Sequence, residues 1–251
     1  MLISATIVAL NEERNIARAI QSLTCADEIV IIDSGSTDRT REIATQLSAR
    51  VIEEPWRGYA AQKNFAAGSA AHDWILSLDA DEQLTPELAS EILALKASGP
   101  RYHGYSFPRL AQYLGRWIHH SGWYPDRKLR LYDRRKAKWL GAYVHESVHV
   151  EGTVGELRGN LLHFTCASLS EHLRTLDRYT SLAAQEVAAR HKPVPLTRLI
   201  LDPAWTFFRT YVIQRGFLDG PQGIAIAWMA ALYTFLKYAK ASFRNEDSPS
   251  R

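Results

Sequence analysis

The chain has 251 residues, 46% of them hydrophobic and 23% charged, which supports a sizeable buried core and excludes wholesale disorder. Gly 14 and Pro 10 exclude collagen-like and low-complexity classes, and two cysteines, Cys25 and Cys166, exclude a disulfide framework and match no zinc motif, which fits a reducing compartment. The net charge of +3 hides opposed blocks: residues 1–108 carry 9 Lys/Arg against 15 Asp/Glu, residues 109–138 carry 9 against 2, and residues 170–244 carry 10 against 5. An acidic first half repels phosphate backbones, so no nucleic-acid partner is expected, whereas a cation bound in one half and an anionic partner in the other would suit the division.

In chain order, Leu2–Ala9 is an apolar, β-branched strand pattern with no basic n-region or small-residue cleavage site, so no targeting segment is expected there. Asn11-Glu12-Glu13 opens an amphipathic run with Ile16, Ala19, Ile20 and Leu23 on one face. Glu28–Asp33 is a second strand, followed by a loop in which Thr37 or Asp38 would cap a helix carrying Ile43, Ala44 and Leu47. Arg50–Glu53 and Asp73–Asp79 are further strands, with a helix over Ala60–Ala71 between them. Thr85-Pro86-Glu87 is a strong helix start and Gly99-Pro100 a stop. This alternation predicts an α/β fold with a mostly parallel sheet covered on both faces. Short strands follow at Tyr102–Pro108, Lys128–Tyr132, Ser147–Val150 and Leu161–Phe164, and then helices at Ser168–His191, Pro203–Arg215 and Pro221–Phe243. The longest uncharged stretch, Gly220–Leu236, has 17 residues and is short for a membrane span of about 20.

Ligands of open α/β sheets bind at the carboxyl ends of the strands. Those ends carry Asn11-Glu12, Asp33, Glu53-Glu54 and Asp79-Ala80-Asp81, with no G-x-G-x-x-G after the first strand and no Walker lysine loop. A nucleotide site built from carboxylates needs a divalent cation between acid and phosphate. Asp79 and Asp81, two apart at a strand end, can share one, which would neutralise charge on a diphosphate leaving group. Taken singly, each acid is equally a turn or helix-cap residue.

The set Thr6–Ile16 (TIVALNEERNI), Ile29–Thr40 (IVIIDSGSTDRT), Ala60–Ala66 (AAQKNFA) and Leu76–Glu82 (LSLDADE) resembles glycosyltransferase family 2, whose members have the GT-A fold and invert the anomeric centre. Gly122–Tyr132 (GWYPDRKLRLY), Val144–Glu146 (VHE) and Phe217–Gly223 (FLDGPQG) resemble the branch that includes lipopolysaccharide inner-core β-1,4-glucosyltransferases. The resemblance implies a UDP-sugar donor and a divalent cation, Mg2+ or Mn2+. It places Asn11 and Glu12 beside the nucleoside, Asp33 on the uracil ring, Lys63 or Asn64 on base or phosphates, Asp79 near ribose and metal, and Asp81 as main metal ligand.

An inverting transfer needs a general base for the acceptor hydroxyl. The Glu-Asp pair usual in the family is missing between Asp81 and the tail, so Glu146 is the first choice and Asp126 the second; Glu146 could instead pair with Arg130 or Lys138. His163 either completes the metal shell or is a hydrogen-bonded structural group. Trp117, Trp123 and Trp139 suit a sugar-stacking wall or a core. Arg127, Lys128, Arg130, Arg134 and Arg135 would bind the diphosphate or an anionic acceptor, or face solvent, and Arg130 is counted with the donor-binding residues.

The expected organisation is a GT-A catalytic domain over 1–167 and a helical appendage over 168–251. Trp205, Phe208, Trp228 and Phe235 beside Arg198, Arg209, Lys237 and Arg244 suit the interface of an anionic inner leaflet, a packing layer or a homo-oligomer contact. The expected activity is hexosyl transfer, glucose favoured, to a lipid-anchored glycan at the cytoplasmic face of the inner membrane. The rivals are the same fold with a protein or other polysaccharide acceptor, a nucleotidyltransferase, and a non-catalytic membrane-associated scaffold.

Overall fold

The computed structural model describes residues 1–141, 146–189 and 194–243. They fall into two compact units: Met1–Leu110 with Pro125–Phe164, and Ala111–Tyr124 with Thr165–Arg251. In chain order the first elements are β1 (Ile3–Ala9), α1 (Ile16–Ser22), β2 (Glu28–Asp33), α2 (Thr40–Gln46), β3 (Arg50–Glu53), α3 (Tyr59–Ser69), β4 (Trp74–Asp79), β5 (Glu82–Leu84) and α4 (Pro86–Ser98). The strands β6 (Gly104–Tyr113), β7 (Arg116–Trp117), β8 (Asp126–Asp133), β9 (Ala137–Leu140), β10 (Ser147–Val150), β11 (Val154–Glu156) and β12 (Leu161–Cys166) follow.

The main sheet runs β3-β2-β1-β4-β8-β6-β12-β5, with β7 and β11 also paired to β6. It is parallel across its first four strands and antiparallel at β4–β8, β8–β6 and β12–β5. The switch follows from the connections. Helical crossovers join β1 to β4, whereas β5 to β12 contain only one helix, and parallel pairing needs a long crossover. β1 reads as a nearly continuous apolar run because Ile3, Ala5 and Ile7 on one side and Ser4 and Thr6 on the other are all buried. Helix α4 starts as expected: Thr85 Oγ1 accepts the Leu88 N–H at 3.3 Å and Pro86 takes the first turn. Asn11–Glu13, by contrast, form a loop and α1 begins only at Ile16, since Asn11 adopts φ +55°.

Register decides where the chemistry lies. Ala9 pairs with Asp33, Asp33 with Glu53, and Val8 with Asp79, so the carboxyl ends of all four parallel strands share one edge.

The second unit contains α5 (Leu169–Ala188), α6 (Leu196–Phe208) and α7 (Gly220–Ser242), with a π-helical turn at Arg209–Ile213 and a 3-10 turn at Gly216–Asp219. Ser168 Oγ caps α5 by accepting the Glu171 N–H at 3.2 Å; the expected end of that helix at His191 lies outside the described residues. Pro203 sits inside α6 rather than at its start, because Pro195 already occupies the N-cap position. No helix among the described residues is long and apolar enough to cross a membrane.

Two glycines in the first unit should respond oppositely to alanine. A Cβ on Gly159 would meet the backbone N and Cα of Leu88 at 2.5 Å, whereas one on Gly68, in helix α3, meets nothing within 4 Å. Gly159→Ala is expected to cost about 1–3 kcal/mol and Gly68→Ala to gain about 0.5–1 kcal/mol. Urea midpoints of the two variants moving in opposite directions is the measurable outcome.

Candidate active site

Two loops are zipped together at the strand edge. The Asn11 N–H donates to Ser36 Oγ at 2.9 Å, and Asn11 Oδ1 accepts from Thr37 N at 2.8 Å. The Glu12 N–H donates to Thr40 Oγ1 at 2.7 Å and the Glu13 N–H to Asp38 Oδ2 at 3.1 Å. Asp33, fully buried, accepts the N–H groups of Gly35 and Ser36 through Oδ2 at 3.1 and 2.9 Å. Its Oδ1 is buried without a partner. An orphaned carboxylate oxygen at this edge is a ready acceptor for one N–H donor of a ligand.

Beside this loop pair a chain of opposite charges crosses the first unit. Glu146 Oε1 meets Lys63 Nζ at 3.3 Å; Lys63 Nζ meets Asp79 Oδ1 at 2.8 Å; Asp79 Oδ2 meets Arg130 Nη2 at 2.5 Å. Arg130 Nη2 continues to Glu82 Oε1 at 2.9 Å, Glu82 to Arg109 at 3.3 Å, Arg109 to Asp126 at 2.7 Å, and Asp126 to Lys128 at 3.0 Å. Burial alone would raise the Asp79 carboxyl, but Arg130 and Lys63 outweigh it and hold the group well below the usual carboxylate range. Arg130 is likewise pushed up: its burial opposes the charge, and Asp79 and Glu82 more than restore it. Burial also works against the charge of Asp126, which Arg109 and Lys128 overcome to lower its pKa.

Asp81 lies outside this chain and pairs with His163, Oδ2 to Nε2, at 3.2 Å. The pairing follows from register, since β12 runs antiparallel to β5 with His163 opposite Glu82, and the Phe164 N–H donates to Asp81 O at 3.0 Å. Glu12 lies close by; burial raises its pKa first, and the charge of Asp81 adds to the effect. Arg18, whose guanidinium sits 3.4 Å over the Phe164 ring, supplies the local positive charge.

Among the described residues no group of three or more His, Cys, Asp or Glu is arranged to hold a metal. Asp79 has each oxygen taken by a cation, so of the D-x-D pair it is Asp81, with His163, that offers donors. A carboxylate and an imidazole make an open donor set, suited to an ion that keeps its other positions for water and phosphate oxygens.

The remaining predicted residues separate by role. Asn64 clasps the peptide of Trp139 in both directions, Nδ2 to O at 2.9 Å and N to Oδ1 at 3.0 Å, so Lys63 is the member of that pair that reaches the acids. Trp139 is a core residue of the first unit, with its Nε1–H on Tyr132 Oη at 2.9 Å, and not part of a sugar-stacking wall. Trp117 and Trp123 belong to the second unit, where Trp123 packs edge-on against Tyr113 at 5.5 Å. The residues of the basic block are each paired with an acid, although Arg127 and Arg135 also face solvent. Arg127 pairs with Glu156, Arg134 with Asp73 and Arg135 with Asp133, while Lys128 and Arg130 belong to the charge chain. Glu146 pairs with Lys63 rather than with Arg130 or Lys138. Val144 and His145 of the Val-His-Glu motif lie outside the described residues.

Sequence reasoning missed Glu82, although it ends the quoted Leu76–Glu82 motif. It is fully buried and closes the strand-end turn by accepting the Asp79 N–H through Oε2 at 3.0 Å. Gln62, also fully buried, was missed too. Its Nε2 donates to Ser34 Oγ at 3.2 Å and Glu54 O at 3.1 Å, holding the loops after β2 and β3 together.

Residues 4–148 match the sequence profile of glycosyl transferase family 2. The chain belongs to that family, and its fold is GT-A. Over 250 residues it is 35% identical to the lipopolysaccharide core biosynthesis glycosyltransferase LpsC of Rhizobium meliloti, covering 95% of this chain and 91% of that protein. It is 33% identical to a glycosyltransferase of Rickettsia typhi, covering 95% and 86%. A solved Mycobacterium tuberculosis glucosyl-3-phosphoglycerate synthase, in complex with Mn2+, UDP and its product, overlaps 64% of this chain and 71% of that one at 17% identity and TM-score 0.46, too partial an overlap to add to the assignment.

Because Arg130 is 4% exposed and separates two carboxylates, removing it strands both charges. Arg130→Met is expected to lose about 3–5 kcal/mol in urea unfolding. A loss under about 1 kcal/mol, the usual worth of an exposed pair, would show that the chain is not held as a unit.

Proposed function

We propose that this family-2 glycosyltransferase moves a hexose, glucose favoured, from a UDP-sugar to a hydroxyl of a lipid-anchored glycan of the lipopolysaccharide inner core, with inversion and with a divalent cation. The observation that carries the reading is the orphaned Asp33 Oδ1 at the same strand edge as the open Asp81–His163 pair. One offers an acceptor to the imide N–H of a uracil, and the other offers donors for a cation shared with the diphosphate. Mg2+ or Mn2+, when bound by Asp81 and His163, would supply charge neutralisation for the departing diphosphate. The acceptor class rests on the similarity to a protein named for lipopolysaccharide core biosynthesis.

Glu146 is the residue we assign as general base. Asp126 is clamped by two cations, Arg109 and Lys128, through opposite oxygens, which leaves it a weak proton acceptor. Glu146 is met by one cation among the described residues, Lys63, and its side chain is 16% exposed. Lys63, through Asp79, ties it to the strand edge where the donor is proposed to lie. Asn11 and Glu12 form the wall beside the nucleoside, and the basic, aromatic helices of the second unit hold the enzyme at the cytoplasmic face of the inner membrane.

Transfer is measured as UDP release with a purified inner-core acceptor. EDTA is expected to abolish turnover and added Mn2+ to restore it; full turnover in EDTA removes the metal role of Asp81. Glu146→Gln should lose about 10²–10⁴-fold in rate while UDP binding persists, and Asp126→Asn should lose less than about ten-fold. The reverse ranking would move the base to Asp126.

A further inference from the structure

The second unit contains a cavity of about 320 Å³ between α5, α6 and α7, within the roughly 300–1,000 Å³ range of small-molecule sites. No carboxylate, ammonium or guanidinium lines it among the described residues, so it is not built for a nucleotide, a phosphate or a charged sugar. Three of its polar side chains are spent within the protein. Thr206 Oγ1 donates to Asp202 O at 2.7 Å, Thr234 Oγ1 donates to Ala230 O at 3.0 Å, and the two hydroxyls lie 3.3 Å apart. His172 Nδ1 is paired with Tyr113 Oη at 2.8 Å, and burial lowers its pKa. The rest of the lining is mainly apolar, with Leu176, Ile226, Met229 and Ala230 beside the rings of Tyr179 and Tyr233.

The lining residues of α7 run from Ile226 to Thr234, a rise of about 12 Å at 1.5 Å per residue. The helix that closes the cavity with Thr206 is unusual in another way. None of the residues of α6 is buried, and it leaves Ile200 60%, Leu201 61% and Trp205 57% exposed, with Arg198 on the same helix and Arg209 just after it. Apolar side chains set among arginines suit an anionic bilayer surface, from which a chain can be presented to the cavity.

We propose that this cavity takes one hydrocarbon chain of a membrane-anchored glycolipid, so that the helical unit grips the acceptor by its lipid tail. The proposal rests on the lipid-anchored acceptor reading but is tested without donor, metal or sugar transfer. Absence of chain binding would therefore leave the transfer reading standing, and absence of transfer would leave chain binding intact.

The test is displacement of the fluorescent fatty acid cis-parinaric acid from the full-length protein by saturated fatty acids of increasing length. Affinity should rise about four-fold per added methylene while the chain still lengthens inside the cavity, and then level off near dodecanoate. A continued rise through hexadecanoate, or no saturable uptake below micelle formation, describes surface partition and overturns the proposal. Ala230→Phe, checked for folding by circular dichroism, should weaken binding at least about ten-fold by filling the space. Unchanged affinity in a folded variant overturns the site, and the chain-length series decides the question if that variant does not fold. Dodecyl maltoside below its micellar concentration should displace the probe at least about ten-fold more effectively than phosphatidylglycerol vesicles. Equal displacement assigns the cavity to bilayer phospholipid instead of a glycolipid anchor and overturns the proposal.

Discussion

Everything at the strand edge depends on how four carboxylates, Asp79, Glu82, Asp126 and Glu146, are interleaved with cations within one compact unit. Lys63 stands between Glu146 and Asp79, Arg130 between Asp79 and Glu82, and Arg109 between Glu82 and Asp126. A buried charge without a partner costs several kcal/mol. Interleaving supplies the partner and also fixes the acids in place, because each of these three cations is held from two sides. Lys63 adds a face contact with Trp139 at 4.3 Å, and Asn64 anchors that tryptophan's peptide, so the centre of the chain is positioned by the core itself.

The alternation also explains why a cation site would form on one side of Asp79-Ala80-Asp81 and not the other. Asp79 turns into the charge chain and is neutralised there. Asp81 turns the opposite way, toward Glu12 and His163, where Arg18 is the nearby compensating charge. Two acids separated by one residue thus carry different duties, the first structural and electrostatic, the second available for a ligand. Part of the net −6 of residues 1–108 is met by the basic block of residues 109–138, through Arg130 on Asp79 and Glu82, Arg109 on Glu82 and Arg134 on Asp73.

The strand ends were legible because periodicity and burial agree there. β2, β3 and β10 have the bounds that the sequence pattern predicts, and parallel pairing of β1 to β4 follows from the alternation with helices. Strands of two or three residues, β5, β7 and β11, were not legible, since so short a segment has no period of its own and forms only where a neighbour offers a register. Glu82 was hidden for the same reason: it belongs to a three-residue strand whose partner, β12, lies 82 positions from Asp81 at His163. The pairing of the basic block was not legible, because a charge run on paper gives no sign of its distant partners. Asp73 and Glu156 meet Arg134 and Arg127 only once the chain is folded. Motif similarity gave Asp33 and Asp81 expected roles that periodicity could not suggest, but it was silent on which of Lys63 and Asn64 reaches the acids.

The helical unit poses the opposite problem, since its exposed apolar residues look like an incomplete core. The frame beneath them argues otherwise. Asp219, 2% exposed, accepts the N–H groups of His119 and His120, each at 3.2 Å, and Ser121 Oγ–H at 2.8 Å, locking the 3-10 turn to that strand of chain. Gly223 lets α7 cross so near Gly216 that a Cβ would lie 1.8 Å from its carbonyl oxygen. Phe207 packs on Trp228 at 4.8 Å and on Tyr211 at 5.7 Å, which joins α6, the π-helical turn and α7 into one aromatic layer. A segment so pinned does not expose Ile200, Leu201 and Trp205 by fraying; it presents them. A buried, satisfied carboxylate and a close backbone crossing thus hold an exposed apolar face on the same unit that encloses the cavity.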